Sequence, residues 1–279
     1  MREPSLGNIN FINCLPLHYG LAQGGFGQQV AIHSAVPSEL NRLVVKGELN
    51  ISPVSSIVYA QNSEQLILLP DVSISAAAAL QSIILVSKQP IEQLGQVRIA
   101  LTAKSATSHA LLKIILHHAY HITPEYFISE LSLSEGVLDD AEAVLFIGDD
   151  ALYAYHHQQT GYYYYDLGAE WHKMTGLSMV YAVWVVNRQF ASLQAEALQM
   201  LYEKVTGAFQ YGLAHLPAAA ATLTGKVPFT AKQIIHYIGL LNYQFTPAHK
   251  EALLTYYRLA HGIGLIPKVP DIEFAEVIR

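Results

Sequence analysis

Hydroxyl side chains gather where an apolar strand pattern gives way to a helical one. The first such place is GELNISPVSSIVYA, residues 47–60, in which Ser52, Ser55 and Ser56 surround Pro53. Serine is a preferred N-cap and proline a preferred first helical residue, so the spacing predicts a helix that begins at Pro53 with Ser52 as its cap. The free N–H groups at such a helix end attract anions.

Two more junctions repeat this arrangement. The segment VRIALTAKSATSHALL carries a strand pattern into a loop in which Thr107 or Ser108 can cap the next helix. In AVLFIGDDAL, Gly148 permits the turn and Asp149 can cap. Because α/β sheets bind ligands at the carboxyl ends of parallel strands, the three junctions together suit a small, anionic, oxygen-rich ligand. Each cap could also be purely structural, and Asp149 could be either a cap or a functional acid.

The remaining reactive side chains give weaker signals. His117 and His121 have the i, i+4 spacing of a helical metal pair, but no H-E-x-x-H pattern or carboxylate cluster accompanies them, so we predict no metal site. Cys14 is the single cysteine, and a buried, unreactive thiol is favoured over a nucleophile. The sequence has no dinucleotide-binding, Walker or nucleophile-elbow motif.

The elements that must position these residues alternate between strand and helix patterns, which is typical of an α/β fold. After residue 187 the pattern predicts three helices with no strand between them. We therefore predict two α/β lobes, the first formed by residues 1–87 and 187–279 and the second by residues 88–186, with hinges near Lys88 and Val186. The predicted strands are residues 8–12, 29–35, 49–54, 82–88, 97–101, 143–148 and 179–186.

Composition excludes several classes of protein. The chain of 279 residues is 52% hydrophobic and 14% charged, which is enough apolar material for two domains. Acidic residues outnumber basic ones by 22 to 16 without a basic patch, so nucleic acid is not an expected partner. The first twenty residues have no signal-peptide pattern, and no segment reaches the 18 to 20 apolar residues of a membrane span. We expect a cytoplasmic, soluble protein, either a monomer or a homodimer.

Longer blocks of sequence resemble one known family. They are NINFINCLPLHYGL, GELNISPVSSIVYAQN, LLPDVSIS followed by QSIILVSKQP, ALTAKSATSHALLKIIL, VLFIGDDAL, YDLGAEWHKMTGLSMVYAVWVV and YYRLAHGIGLI. In this order they resemble the chorismate dehydratases of the futalosine route to menaquinone, the MqnA family. The resemblance spans nearly the whole chain.

The resemblance implies a two-lobed fold similar to the type 2 periplasmic solute-binding proteins, with a cleft between the lobes. It implies loss of water from chorismate to give 3-[(1-carboxyvinyl)oxy]benzoate, without metal or organic cofactor. Asn13 would orient the leaving hydroxyl or the enolpyruvyl group, and Asp149 would orient the substrate or assist proton transfer. The residues that would bind the substrate are Ser55, Ser56, Ser82, Thr107, Ser108 and Gly148.

The matching blocks offer no dedicated acid–base pair, so a carboxylate of the substrate could itself take the ring proton. The chain also departs from the family in two places. Ala76 to Ala79 replace a polar turn near the expected cleft, and Asn50 stands where aspartate is common. These departures keep open an alternative function, a non-catalytic cytoplasmic binding protein for a small cyclic or aromatic carboxylate.

Overall fold

The protein is described by a computed structural model that covers residues 3–103, 105–129 and 141–279. This part of the chain contains eleven β-strands arranged in two sheets. The strands are β1 Ser5–Ile9, β2 Ala31–Ala35, β3 Ile51–Ser55, β4 Leu66–Ala76, β5 Ile83–Ser87, β6 Arg98–Thr102, β7 Glu125–Ser129, β8 Ala143–Ile147, β9 Tyr163–Asp166, β10 Met179–Asn187 and β11 Leu241–Gln244.

Eleven α-helices pack around the sheets of the described residues. They are α1 Leu15–Gln23, α2 Pro37–Val45, α3 Ser56–Gln61, α4 Ala106–Ala119, α5 Gly148–His156, α6 Leu167–Thr175, α7 Arg188–Leu193, α8 Ala195–Ala214, α9 Leu216–Ala221, α10 Ala231–Leu240 and α11 Pro247–Gly262. Short 3₁₀ helices occupy Ile12–Cys14 and Ile91–Gln96.

The first sheet has six strands in the order β11-β4-β10-β3-β1-β2. Strand β1 pairs in parallel with β2 and β3, whereas β10 runs antiparallel to β3 and β4. The central position of β10 accounts for its composition: Met179 to Val186 are all buried, which is typical of a strand covered on both faces.

The second sheet has five strands in the order β7-β6-β8-β5-β9. Strand β8 is parallel to β6 and antiparallel to β5. All five residues of β5 and all five of β8 are buried. The apolar runs IILV and AVLFI therefore form the centre of this sheet.

The chain passes between the two sheets twice, between Ala76 and Ile83 and again between Asp166 and Met179. Strand β5 thus pairs in the second sheet, although its residues fall in the range 1–87 that we assign to the first lobe. Strand β10 pairs in the first sheet, although most of it falls in the range 88–186. The division into lobes stays a prediction, and strand pairing favours these earlier crossing points as its boundaries.

The predicted helix start at Pro53 is wrong. Ser52 and Pro53 lie inside β3, beside Val185 and Trp184 of β10, and α3 begins at Ser56 with Ser55 at the N-cap. Strand β1 pairs with β3 through Leu6 and Ile51 only, so a proline, which has no N–H, is tolerated farther along β3. The small Ser52 side chain packs against Gly7 of β1, which explains its place in a buried strand.

The other predicted caps also shift by a few residues. The N-cap of α4 is Ser105, whose hydroxyl accepts from the backbone N–H of Ser108, and not Thr107 or Ser108. The N-cap of α5 is Ile147, which makes Asp149 the second residue of that helix. The prediction that no strand separates the C-terminal helices is wrong as well, because β11 lies between α10 and α11 and pairs with β4.

Candidate functional site

A cleft between the two sheets collects most of the predicted site residues. It encloses about 560 Å³ of space not filled by atoms, part of which is open to solvent. Its apolar wall consists of Ile9, Phe11, Pro37, Ile74, Leu80, Ile83, Ile147 and Ala182. Its other lining residues are Asn13, Ser55, Ser82, Ser105, Thr107, Ser108, Gly148 and Tyr181.

Two predicted residues, Ser56 and Asp149, lie directly behind this lining. The Ser56 hydroxyl donates to the Val180 carbonyl at 2.8 Å and lies 3.3 Å from the Thr107 hydroxyl. The Asp149 carboxylate accepts from the backbone N–H of Ile12 at 3.2 Å. Both side chains thus join separate segments of the cleft wall.

Asn13 lies in the short 3₁₀ helix that follows β1. Its backbone carbonyl accepts a hydrogen bond from the Tyr243 hydroxyl at 2.7 Å, which fixes the loop from the side of β11. Its side-chain oxygen is buried and has no hydrogen-bond partner among the described residues. A buried acceptor without a partner in a cleft is suited to a ligand hydroxyl.

Ser82 and Gly148 form a second contact point. The Ser82 carbonyl accepts from the Gly148 N–H at 2.8 Å, and the Ser82 hydroxyl accepts from the Tyr237 hydroxyl at 2.8 Å. Gly148 has φ +58°, and a Cβ there would lie 3.2 Å from the Phe11 ring. The positive φ therefore favours glycine, and a Cβ would make an unusually tight contact with Phe11.

The N-terminus of α4 faces the cleft through Ser105, Thr107 and Ser108. The Ser105 and Ser108 hydroxyls are 3.1 Å apart, and the Thr107 hydroxyl accepts from the Ile57 N–H at 3.3 Å. A helix start lined with hydroxyls stabilises a carboxylate without an arginine. This arrangement therefore suits an anionic group.

Four buried tyrosines from the C-terminal part of the chain support these residues from behind. Each donates a hydrogen bond to a site residue: Tyr237 to the Ser82 hydroxyl, Tyr243 to the Asn13 carbonyl, Tyr256 to the Thr107 carbonyl at 3.2 Å and Tyr257 to the Ser56 carbonyl at 2.6 Å. Burial raises the pKa of all four phenols, so they stay protonated donors. Sequence reasoning missed them, because no local motif links residues 237–257 to the three junctions.

The loop between the sheets is fastened by Asp166, another residue that sequence reasoning missed. Its carboxylate accepts from the backbone N–H groups of Leu80 and Gln81 and of Gly168 and Ala169, at 2.6 to 3.1 Å. Within the described residues, Leu80 lines the cleft, whereas none of the four alanines at 76–79 does. The alanine stretch thus lies beside the cleft wall and not on it.

The cysteine and the histidines lie outside the cleft lining. Cys14 is buried, as the sequence predicts, and burial, with a smaller effect of the Asp149 charge, raises the pKa of its thiol to about 12. Within residues 3–103, 105–129 and 141–279, no group of three or more His, Cys, Asp or Glu side chains could hold a metal ion. No helix of the described chain is both long and apolar enough to cross a membrane.

Comparison with known proteins places the chain in a family. Residues 4–262 match the menaquinone biosynthesis family. The chain belongs to this family. It is 32% identical over 279 residues to a chorismate dehydratase of Thermus thermophilus, a match that covers 95% of this chain and 97% of that protein. It is 28% identical to a chorismate dehydratase of Campylobacter jejuni, over 69% of each chain.

Solved structures show the fold. The periplasmic aliphatic sulphonate binding protein SsuA of Escherichia coli superimposes with a TM-score of 0.69 at 15% identity, over 100% of this chain and 94% of that one. The family member thus has the periplasmic-binding-protein fold, and the resemblance inferred from the sequence blocks is confirmed for both family and fold.

Proposed function

We propose that the protein is a chorismate dehydratase, a hydro-lyase that converts chorismate to 3-[(1-carboxyvinyl)oxy]benzoate and water. The observation that carries this proposal is the 32% identity to the Thermus thermophilus chorismate dehydratase across 95% of the chain. The cleft supports it, because an apolar wall with a few hydroxyls and an amide suits a small ring that carries carboxylates and a hydroxyl.

In the proposed complex the N-terminus of α4 holds a substrate carboxylate. The hydroxyls of Ser105, Thr107 and Ser108 surround that helix start. The net charge of −6 repels a dianion at long range, so the local helix dipole has to offset that repulsion. Ser55 lies across the cleft at the end of β3 and completes this polar region.

Asn13 and Ser82 orient the group that leaves. The buried oxygen of Asn13 accepts a hydrogen bond from the ring hydroxyl of chorismate, and the Ser82 hydroxyl donates to the substrate while its oxygen accepts from Tyr237. The elimination breaks one ring C–H bond and one C–O bond and yields an aromatic ring, so positioning can supply much of the rate.

A carboxylate of the substrate takes the ring proton in this proposal. The Asp149 carboxylate lies behind the lining and accepts from the Ile12 N–H, which suits a residue that positions the Asn13 loop better than one that shuttles protons. Gly148 permits the close approach of Phe11 on the same side. Asp149 thus orients the substrate indirectly, through the backbone of residues 12–13.

The proposal extends to the biological setting, namely the futalosine route of menaquinone biosynthesis and a cytoplasmic location. The family match and the order of the quoted sequence blocks support the route. We further propose that the lobes follow the two sheets and close over the substrate, since ligands held between two lobes are usually enclosed by hinge motion.

The test is to incubate the purified protein with chorismate and follow the products by chromatography and mass spectrometry. We expect the dehydrated enolpyruvyl benzoate from the wild type, and a fall in kcat of at least about tenfold in Asn13→Ala. Asn242→Ala, an exposed asparagine in β11, is the matched control and should keep full activity. Chorismate that stays intact while raising the melting temperature would show a binding protein and contradict the proposal.

A further inference from the structure

Tyr181 is a buried tyrosine of the cleft that has no role in the proposed reaction as described so far. It lies in β10, lines the cleft and is 8% exposed. Its hydroxyl is buried and has no hydrogen-bond partner among the described residues, whereas the hydroxyls of the four supporting tyrosines all have one. A buried hydroxyl without a partner is costly, so its retention in a cleft points to a ligand atom that completes it.

The surroundings of the hydroxyl restrict what that atom can be. The hydroxyl packs on Gly168 at the start of α6, where a Cβ would lie 2.6 Å from it and 3.1 Å from Asp166 Oδ1. Burial raises the pKa of the Asp166 carboxyl, and the four backbone N–H bonds that it accepts oppose this shift. A ligand carboxylate placed here would add a second acid group beside a buried one, which is costly in a desolvated site, whereas a neutral oxygen avoids that cost.

We propose that Tyr181 is a further substrate-contacting residue, whose hydroxyl donates a hydrogen bond to a neutral oxygen of bound chorismate, either its ether oxygen or its ring hydroxyl. This inference rests on the proposed dehydratase function. The two sides of the cleft then bind different groups of the substrate: the α4 N-terminus binds a carboxylate, and the Tyr181 side binds an uncharged oxygen. Burial, and secondarily the Asp166 charge, raises the pKa of the Tyr181 phenol, so it is a donor that keeps its proton.

The first experiment compares Tyr181→Phe with Tyr202→Phe. Tyr202 is also 8% exposed, but it lies outside the cleft lining and donates to Asp71 at 2.8 Å, so it is a matched control. We expect kcat/KM to fall at least about tenfold in Tyr181→Phe and to stay within twofold of wild type in Tyr202→Phe. Circular dichroism and thermal unfolding should show that both variants are folded.

Ligand binding then identifies the oxygen. The reaction product keeps the ether oxygen but has lost the ring hydroxyl, and benzoate has neither. If Tyr181 contacts the ether, Tyr181→Phe should weaken inhibition by the product and leave benzoate inhibition unchanged. If it contacts the hydroxyl, kcat should fall while inhibition by both compounds is unchanged.

Two results would overturn the inference. One is a Tyr181→Phe variant whose kcat/KM stays within twofold of wild type. The other is an equal loss of benzoate and product binding, which would indicate a distorted cleft. A wild-type protein that does not turn over chorismate would contradict the proposed function instead, so the two failures are distinguishable.

Discussion

Tyr237 should control activity through Ser82, although it is a residue of the C-terminal helices. Its hydroxyl donates to the Ser82 oxygen at 2.8 Å, and both residues are buried. With one lone pair of Ser82 occupied in this way, the Ser82 proton is left to point into the cleft. Tyr237→Phe keeps the ring and its packing but removes the proton that sets this orientation.

Tyr237→Phe should lower both the stability and the activity of the protein. Loss of a donor to a buried oxygen destabilises a protein by about 1 to 3 kcal/mol, which for a chain of this size lowers Tm by roughly 2 to 10 °C. If the Ser82 hydroxyl contacts the transition state, misorienting it should lower kcat/KM by about 5- to 30-fold, equivalent to about 1 to 2 kcal/mol. Tyr202→Phe loses a comparable hydrogen bond, so it should lower Tm without lowering kcat/KM.

The assay is a double-mutant cycle on kcat/KM with Tyr237→Phe, Ser82→Ala and the double variant. We expect the double variant to be about as slow as Ser82→Ala alone, because Tyr237 acts through the hydroxyl that Ser82→Ala removes. If the two single losses instead multiply in the double variant, Tyr237 does not act through Ser82 and the reasoning is refuted.

Three further predictions concern Gly148, Asp149 and Cys14. Gly148→Ala should lower the free energy of unfolding by about 1 to 3 kcal/mol, because alanine is strained at positive φ and its Cβ would approach the Phe11 ring. A denaturant titration that matches wild type would contradict this prediction. Asp149→Asn should keep most of the activity, since its amide oxygen can still accept from the Ile12 N–H, whereas Asp149→Ala should lower the activity about tenfold. Equal losses of activity in the two variants would mean that the charge of Asp149 itself is needed. The pKa of Cys14 is raised to about 12 in the folded protein, so iodoacetamide at pH 9 should label it only after unfolding. The stability that this thiol contributes is complete below its ordinary pKa of 9.0 and is lost as the pH rises through about 12. Cys14→Ala should therefore reduce the fall in the free energy of unfolding over that pH range.

The sequence predicts most of the sheets because their central strands are long apolar runs. Strand patterns are clear in the apolar runs MVYAVWVV and AVLFI, and both runs form buried central strands. Strand β4 is not predicted, because Pro70 and Asp71 interrupt its apolar pattern. Asp71 also has φ +66°, which is unusual within a strand. Strand β11 has only four residues, which is too short for a period to be recognised against the helices on either side.

The sequence also predicts which junctions meet at the cleft but not the detailed geometry there. Ser52 and Pro53 have the residue types of a helix start, and only the pairing of β3 with β10 shows that they belong to a strand. Local composition could not distinguish these cases, because serine suits a helix cap and a close contact with Gly7 equally well.

What sequence patterns could not supply is the support between distant segments. Tyr243 and Asn13 are 230 residues apart, and Tyr257 and Ser56 are 201 apart. Three of the four supporting tyrosines donate to backbone carbonyls, so they fix the cleft wall without occupying the side chains that face it. The site residues can therefore be rigid and still present unused polar atoms, such as the Asn13 oxygen, to a ligand. This combination suits a preorganised site, because a rigid wall keeps some polar side-chain atoms available to position a ligand.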